Sequence, residues 1–296
     1  MATISSSLND KLIAQAALEA FTAELAPISA FSTSYSAEVV RRGATVEVPL
    51  VASITATTFN DSYEVAGGTL NKVTITLDQH KIATVGLSDT EFSKSSVADI
   101  TKFATQQGKA VAQSVISYAW SLLVTTASSA AQFSASLTGL TTLSLANVRA
   151  LRKALSNENV PQMDRALILD ADLYDGLLST VSDASAFGAR DAIADGKAPR
   201  IYGMNVFEST VIPSNSISLK GFAIHPNALA LAVRALEPQA PSEYLASTSL
   251  TDPQTGLVLG YRRHFNTSTG VHWCSFSCVF GASRAITGAA KLALGA

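Results

Sequence analysis

The chain has 296 residues, 47% of them hydrophobic and only 15% charged, with a formal net charge of −2. That length can bury a large core in one domain or two. The faint acidity argues against a dedicated nucleic-acid binder, and no apolar run approaches the eighteen or so residues of a membrane span.

The N-terminal segment Met1–Ser7 lacks the basic start and apolar core of a secretion signal. So low a charge content suggests a surface partly covered by other subunits. Asn9–Leu25 reads as a helix, rich in Ala and Leu and stopped by Pro27. A polar, Ser-rich stretch follows from Ser29 to Ala37, so the helix is expected to be an arm whose apolar face finds a partner outside its own domain, the competing reading being a first core helix on an ordinary loop. Thr45–Val51 alternates as a strand, with Pro49 placing it at an edge or bulge. Lys72–Thr84 alternates again, and the two form a long hairpin with its tip between Ala56 and Leu70. Val73, Ile75 and Leu77 share one face of the return strand. An isolated hairpin is marginal in water, so this one should dock on another subunit.

Ser95 to Thr126 organises the rest. It reads as one helix of roughly thirty residues, about 45 Å long, with Ser96 as cap and Asp99 in the first turn, where the helix dipole favours a carboxylate. Val97, Ile100, Ala104, Val111, Val115, Tyr118 and Leu122 draw one apolar stripe. Beyond Val115 the apolar character wraps all round, which predicts an end sunk in a core. Ala127–Gly139 reads as a small-residue linker. A mixed α and β unit then begins, with Leu145, Val148, Leu151 and Leu155 on one helical face, a strand at Arg165–Leu169, a helix at Asp170–Leu178, and strands at Arg200–Glu208 and Gly221–Ile224. The last third is mostly strand: Leu257–His264 and Val271–Phe280, joined at Asn266–Gly270. The Ala-rich tail Ala282–Ala296 is predicted helical.

The sharpest enzymatic lead is Leu167-Ile-Leu-Asp170-Ala-Asp172, an apolar strand ending in Asp-x-Asp. Mg²⁺-dependent haloacid-dehalogenase-like phosphohydrolases present a nucleophile and a general acid in this way. The competing reading is a strand feeding a helix, with Asp170 or Asp172 as its N-cap and Asp175 in the first turn. His80, His225, His264 and His272 make no metal-ligand spacing. Cys274 and Cys278, the only cysteines, lie about 13 Å apart on a strand, which excludes a mutual disulfide. Gly281-Ala-Ser283-Arg is half a nucleophile elbow and lacks its second glycine. Arg41-Arg42 and Arg262-Arg263 read as solvated strand ends, or as contacts to DNA phosphates. No catalytic, cofactor-binding or metal-binding residue is assigned.

In order, these parts resemble the major capsid proteins of tailed bacteriophages, with the fold named after phage Hong Kong 97. Gly43-Ala-Thr-Val-Glu-Val-Pro49 resembles the start of that family's extended loop, and Val73-Thr-Ile-Thr-Leu-Asp-Gln-His80 its return strand. Asp164–Asp170 with Leu173–Leu177 resembles the strand-to-helix step of its axial domain, and Gly196 to Ser209 the segment after it. The resemblance implies an α+β fold: an N-arm at 1–30; a peripheral domain with spine helix at 31–46, 88–127 and 233–281; an E-loop at 47–87; and an axial domain at 128–232 and 282–296. It also implies self-assembly as hexamers and pentamers into an icosahedral shell around double-stranded phage DNA, made in the bacterial host cytoplasm. The expected partners are a separate scaffolding protein, a portal and non-specifically contacted DNA, with no membrane and no cofactor. Some relatives crosslink through Lys and Asn. Lys72 lies on the E-loop, but nothing in the sequence identifies its partner. An encapsulin-type nanocompartment shell is the third reading, beside the coat protein and the phosphohydrolase.

Overall fold

A computed structural model describes residues 6–25, 27, 45–51, 70–94, 97–123, 134–183, 198, 200–214, 218–234, 236, 244–252, 256–285 and 289–295. Its centre is a 25-residue helix, α3 (Val97–Ser121), with Asp99 in the first turn; the expected cap Ser96 lies outside the described residues. Ile100, Ala104, Val111 and Val115 are buried along one stripe, while Lys102 and Gln106 on the other side are exposed. Near its end Ile116, Ala119 and Trp120 are buried as well. The helix therefore begins half wet and finishes inside a core, as its sequence pattern predicts.

Two sheets flank α3. The first runs β3 (Gln79–Ser88), β11 (Val271–Arg284), β10 (Val258–Asn266), β9 (Ala246–Thr251), with β8 (Leu229–Arg234) paired to the far end of β11. All of these pairings are antiparallel. Buried Gln107 fixes α3 to this sheet, its amide donating to the carbonyls of Ala83 and Cys274 at 3.0 Å each. The second sheet has the order β4 (Ser134–Leu140), β12 (Ala290–Gly295), β7 (Leu219–Ile224), β5 (Ala166–Leu169), β6 (Asn205–Glu208). It carries α4 (Leu145–Asn157), capped by Ser144, and α5 (Ala171–Asp183). Trp120 reaches into this second unit, edge-on to Phe222 at 4.6 Å between ring centroids, with its indole N–H on Ser209 Oγ at 3.3 Å. The end of α3 thus belongs to both units.

Several expectations are corrected. The Ala-rich tail is not helical. β11 continues through Arg284, and 290–295 form a strand between β4 and β7, buried on both faces over its first four residues. Pairing on both edges and burial on both faces override the helix propensity of its Ala and Leu residues there. The linker reading of 127–139 fails at its end, because β4 begins at Ser134 and pairs parallel to β12. The single return strand Lys72–Thr84 is two strands: β2 (Leu70–Thr76) pairs with β1 (Thr45–Val51), and after Leu77–Asp78 the chain enters β3 in the first sheet. The expected hairpin tip lies outside the described residues.

The N-terminal helix α1 (Ser6–Glu24) packs on α3 of its own chain rather than waiting for a neighbour. Ile13, Ala14, Ala17, Phe21 and Leu25 are buried in the main core. The helices approach so closely that a Cβ at Gly108 would overlap the Ala17 carbonyl oxygen. The base of the hairpin also packs internally: Val46 and Ile75 form a small separate cluster with Ala230 and Ala232 of β8, and Val73 and Leu77 are half-buried against it. Here too a glycine admits the crossing, since a Cβ on Gly281 would overlap the Thr76 carbonyl oxygen. Finally, the expected domain divisions at 232/233 and 281/282 fall inside β8 and β11.

Candidate functional site

Asp170 stands where β5 hands over to α5. Its backbone carbonyl accepts from Tyr174 N–H at 2.9 Å, its Oδ1 accepts from Ala171 N–H at 2.9 Å, and its own N–H donates to Lys220 O at 2.8 Å. Lys220, on the adjacent strand β7, places its Nζ 3.0 Å from Asp170 Oδ2 and 2.9 Å from Asp172 Oδ2. These hydrogen bonds, Asp172's first and Asp170's next, hold the ammonium above its ordinary value. The strand-to-helix reading therefore describes the pair: a cap position and a first-turn carboxylate bridged by one lysine. Asp175 is exposed in the following turn. No group of three or more His, Cys, Asp or Glu suited to a metal ion occurs among the described residues.

The other lone motifs scatter. His80 is exposed, and buried His225 accepts the Asn227 N–H at its Nδ1 as the cap of a short 3-10 turn, Pro226–Ala228. His264 lies 6.5 Å from the Trp273 ring, stacked, and His272 lies 4.6 Å from Phe265. Cys274 and Cys278 are free and buried; burial raises both thiols, Cys278 to about 12. Gly281 and Ser283 sit within β11, not at a strand-to-helix elbow. Arg41 and Arg42 lie outside the described residues.

Arg262 and Arg263 are not solvated strand ends. Arg262 donates to Leu236 O at 2.7 Å and lies 5.5 Å over the Tyr244 ring. Arg263 points the other way, to Asp10 of α1 at 3.2 Å, with the two side chains only 14% and 8% exposed. Tyr261 donates its hydroxyl to the same carboxylate at 3.1 Å. Two further buried polar groups escaped sequence reasoning, because neither belongs to a recognisable motif. Arg165, fully buried, donates to the carbonyls of Arg152, Val160 and Pro161, closing the C-terminal end of α4. Lys291, 5% exposed, pairs with Glu158 at 2.9 Å.

The face of the first sheet turned away from α3 is poor in charge. The strand registers place Ile82 and Thr84 of β3, Trp273 and Ser275 of β11, Arg262 and His264 of β10, and Ser247 and Ser249 of β9 on it. Arg262 is the only residue on that face of these four strands carrying a full charge at neutral pH. Ile82 is 58% exposed there. Ser, Thr, His and Asn otherwise supply its polar side chains, and Leu236 and Tyr244 of the same chain lie against its one arginine.

A family described as phage capsid protein matches residues 69–285 of the sequence. The chain belongs to that family. Solved structures agree on the fold. A Mycobacterium phage Che8 structure is similar with a TM-score of 0.57 at 16% identity, covering 88% of each chain. The capsid structure of cyanophage P-SCSP1u has a TM-score of 0.58 at 15% identity, covering 87% of this chain and 85% of its own. A Microbacterium phage Oxtober96 structure reaches 0.56 at 11%, covering 92% and 91%. No curated protein matches. The fold of this capsid-family chain is thus the Hong Kong 97-like α+β fold, and the family is one of structural coat proteins rather than enzymes.

Proposed function

We propose that this chain is a major capsid protein that assembles as hexamers and pentamers into an icosahedral shell around double-stranded phage DNA. The family match carries the reading, and the nearly charge-free sheet face supports it. A shell closes when modest heterologous contacts repeat around symmetry axes, and such contacts need surfaces of this kind. The unit built on the second sheet would be the axial domain. α3 with the first sheet would be the peripheral domain, with α1 docked on it as part of the same body, and the β1–β2 hairpin would be the base of the E-loop. A scaffolding protein and a portal would complete assembly in the host cytoplasm.

The test is electron microscopy of particles formed by the purified chain, followed by nuclease treatment of particles purified from phage-producing cells. Closed shells with five- and sixfold clusters, and double-stranded DNA protected inside, are expected. Chains that stay monomeric would overturn the assembly reading, and shells loaded with an enzyme would transfer the chain to the nanocompartment reading.

A further inference from the structure

The unpaired strand edges differ in how well they are protected. Among the described residues, β1 carries Glu47 and Pro49, β3 carries Lys81, β6 is four residues ending in Glu208, and the pairing of β4 is broken by register shifts. Charges, proline, shortness and bulges are the devices that stop an edge from recruiting another strand. β9 has none of them. Ala246–Thr251 pairs with β10 along one side in unbroken register, and contains only Ala, Ser, Thr and Leu. Ser247, Thr248, Ser249 and Thr251 are exposed, while Ala246 and Leu250 pack inward on the side where α1 lies. Leu245, just before it, is 58% exposed.

The register also says which backbone groups are free. Asp252 N–H donates to Leu257 O at 2.9 Å, which marks 252 and 257 as a hydrogen-bonded pair. Alternation along an antiparallel ladder then turns residues 250, 248 and 246 toward β10, and Ser247, Ser249 and Thr251 outward. These three outward residues are symmetric about Ser249.

We propose that β9 pairs antiparallel with β9 of a second copy across a twofold axis, with Ser249 opposite Ser249 and Ser247 opposite Thr251. The inference rests on the shell reading, and adds one specific contact to it. Self-pairing sets Ser249 against Ser249, Ser247 against Thr251 and Thr248 against Leu250, so no like charges meet across the axis, and cross-strand Ser and Thr pairs are favourable. It closes as an isologous contact and joins two first sheets into one continuous sheet. Six residues a side bury far less than the roughly 1,200 Å² of a stable free dimer. The contact therefore forms in the shell, where other contacts hold the copies together, and not in the free subunit.

Cysteine crosslinking in assembled particles tests it. Directly opposed residues of an antiparallel pair lie about 4.5–5.5 Å apart at Cα, within disulfide reach. Ser249→Cys should give covalent dimers on mild oxidation of particles and none in the free subunit. Ser247→Cys alone should give none, whereas mixing it with Thr251→Cys should restore them. The parent chain, with Cys274 and Cys278 buried, is the background. Ser249→Lys, which sets two ammonium groups on the axis, should leave subunit melting unchanged and lower particle yield at least about tenfold. If the parent forms particles while Ser249→Cys stays uncrosslinked, or Ser249→Lys assembles like the parent, the β9 contact is wrong and the shell reading stands. If the parent forms no particles, the shell reading itself fails first.

Discussion

Helix α1 and the β1–β2 hairpin both lead away from the centre of the chain in sequence, and both read as appendages awaiting a neighbour. The structure separates them by how much each buries at home. α1 places Ile13, Ala14, Ala17, Phe21 and Leu25 in the main core, and adds the Asp10–Arg263 ion pair and the Tyr261 hydroxyl. Among the described side chains of the hairpin, Val46 and Ile75 are buried, in a small cluster shared with β8. An element becomes part of a body when its buried area exceeds the ordering cost of its own residues. By that measure α1 is structural, whereas the described base of the hairpin is held by a much smaller cluster.

The largest effect expected from this contrast is at α1. Removing residues 1–25 should expose the α3 stripe and give a chain that aggregates rather than a soluble subunit, and Phe21→Ala should cost about 4 kcal/mol in urea unfolding. A truncated chain that melts cooperatively at the parent midpoint would return α1 to the status of an arm. Next comes the ion pair. Asp10→Ala leaves a buried guanidinium and a phenol without their shared acceptor, which should cost about 3 kcal/mol. The double variant Asp10→Ala with Arg263→Met should recover part of that loss, and failure to recover would mean that packing rather than charge holds the site.

At the hairpin the effect should be smaller and local. Ile75→Ala should release about 2 kcal/mol of protection from β1 and β2 in hydrogen exchange while moving the melting midpoint of the body little. Equal loss across both sheets would show that the hairpin folds as one unit with the core.

The smallest effect is a pH dependence inside the second unit. Burial first, and the nearby Arg165 next, hold His225 below its ordinary 6.5, with Asp164 opposing. The unfolded chain takes up a proton near 6.5 that the folded chain refuses, so this stability is present above 6.5 and lost as pH falls below it. His225→Asn, which keeps an acceptor for the Asn227 N–H, should flatten that acid limb in melting curves. An unchanged limb would assign the titration to another group.

Sequence alone determined the elements whose pattern is local. The α3 stripe, the Val148–Leu151–Leu155 face of α4, the β5-to-α5 step at Asp170 and the β10–β11 hairpin were legible because periodicity, capping residues and turn residues act within a few positions. The resemblance carried by their order pointed to the capsid fold, which the family match bears out. Sequence also left Asp170 and Asp172 open between a cap and a catalytic pair, since their bridging partner, Lys220, lies fifty residues on, in a strand that becomes adjacent only when the sheet forms. Tertiary structure decided the rest. Residues 290–295 are a strand because their backbone pairs with β4 on one side and β7 on the other. α1 is core because Gly108 and Ala17 permit its close approach to α3. Arg263 is buried because Asp10, some 250 residues away along the chain, meets it across a helix–sheet contact. Each depends on contacts between remote segments, and composition and spacing within one segment do not encode them.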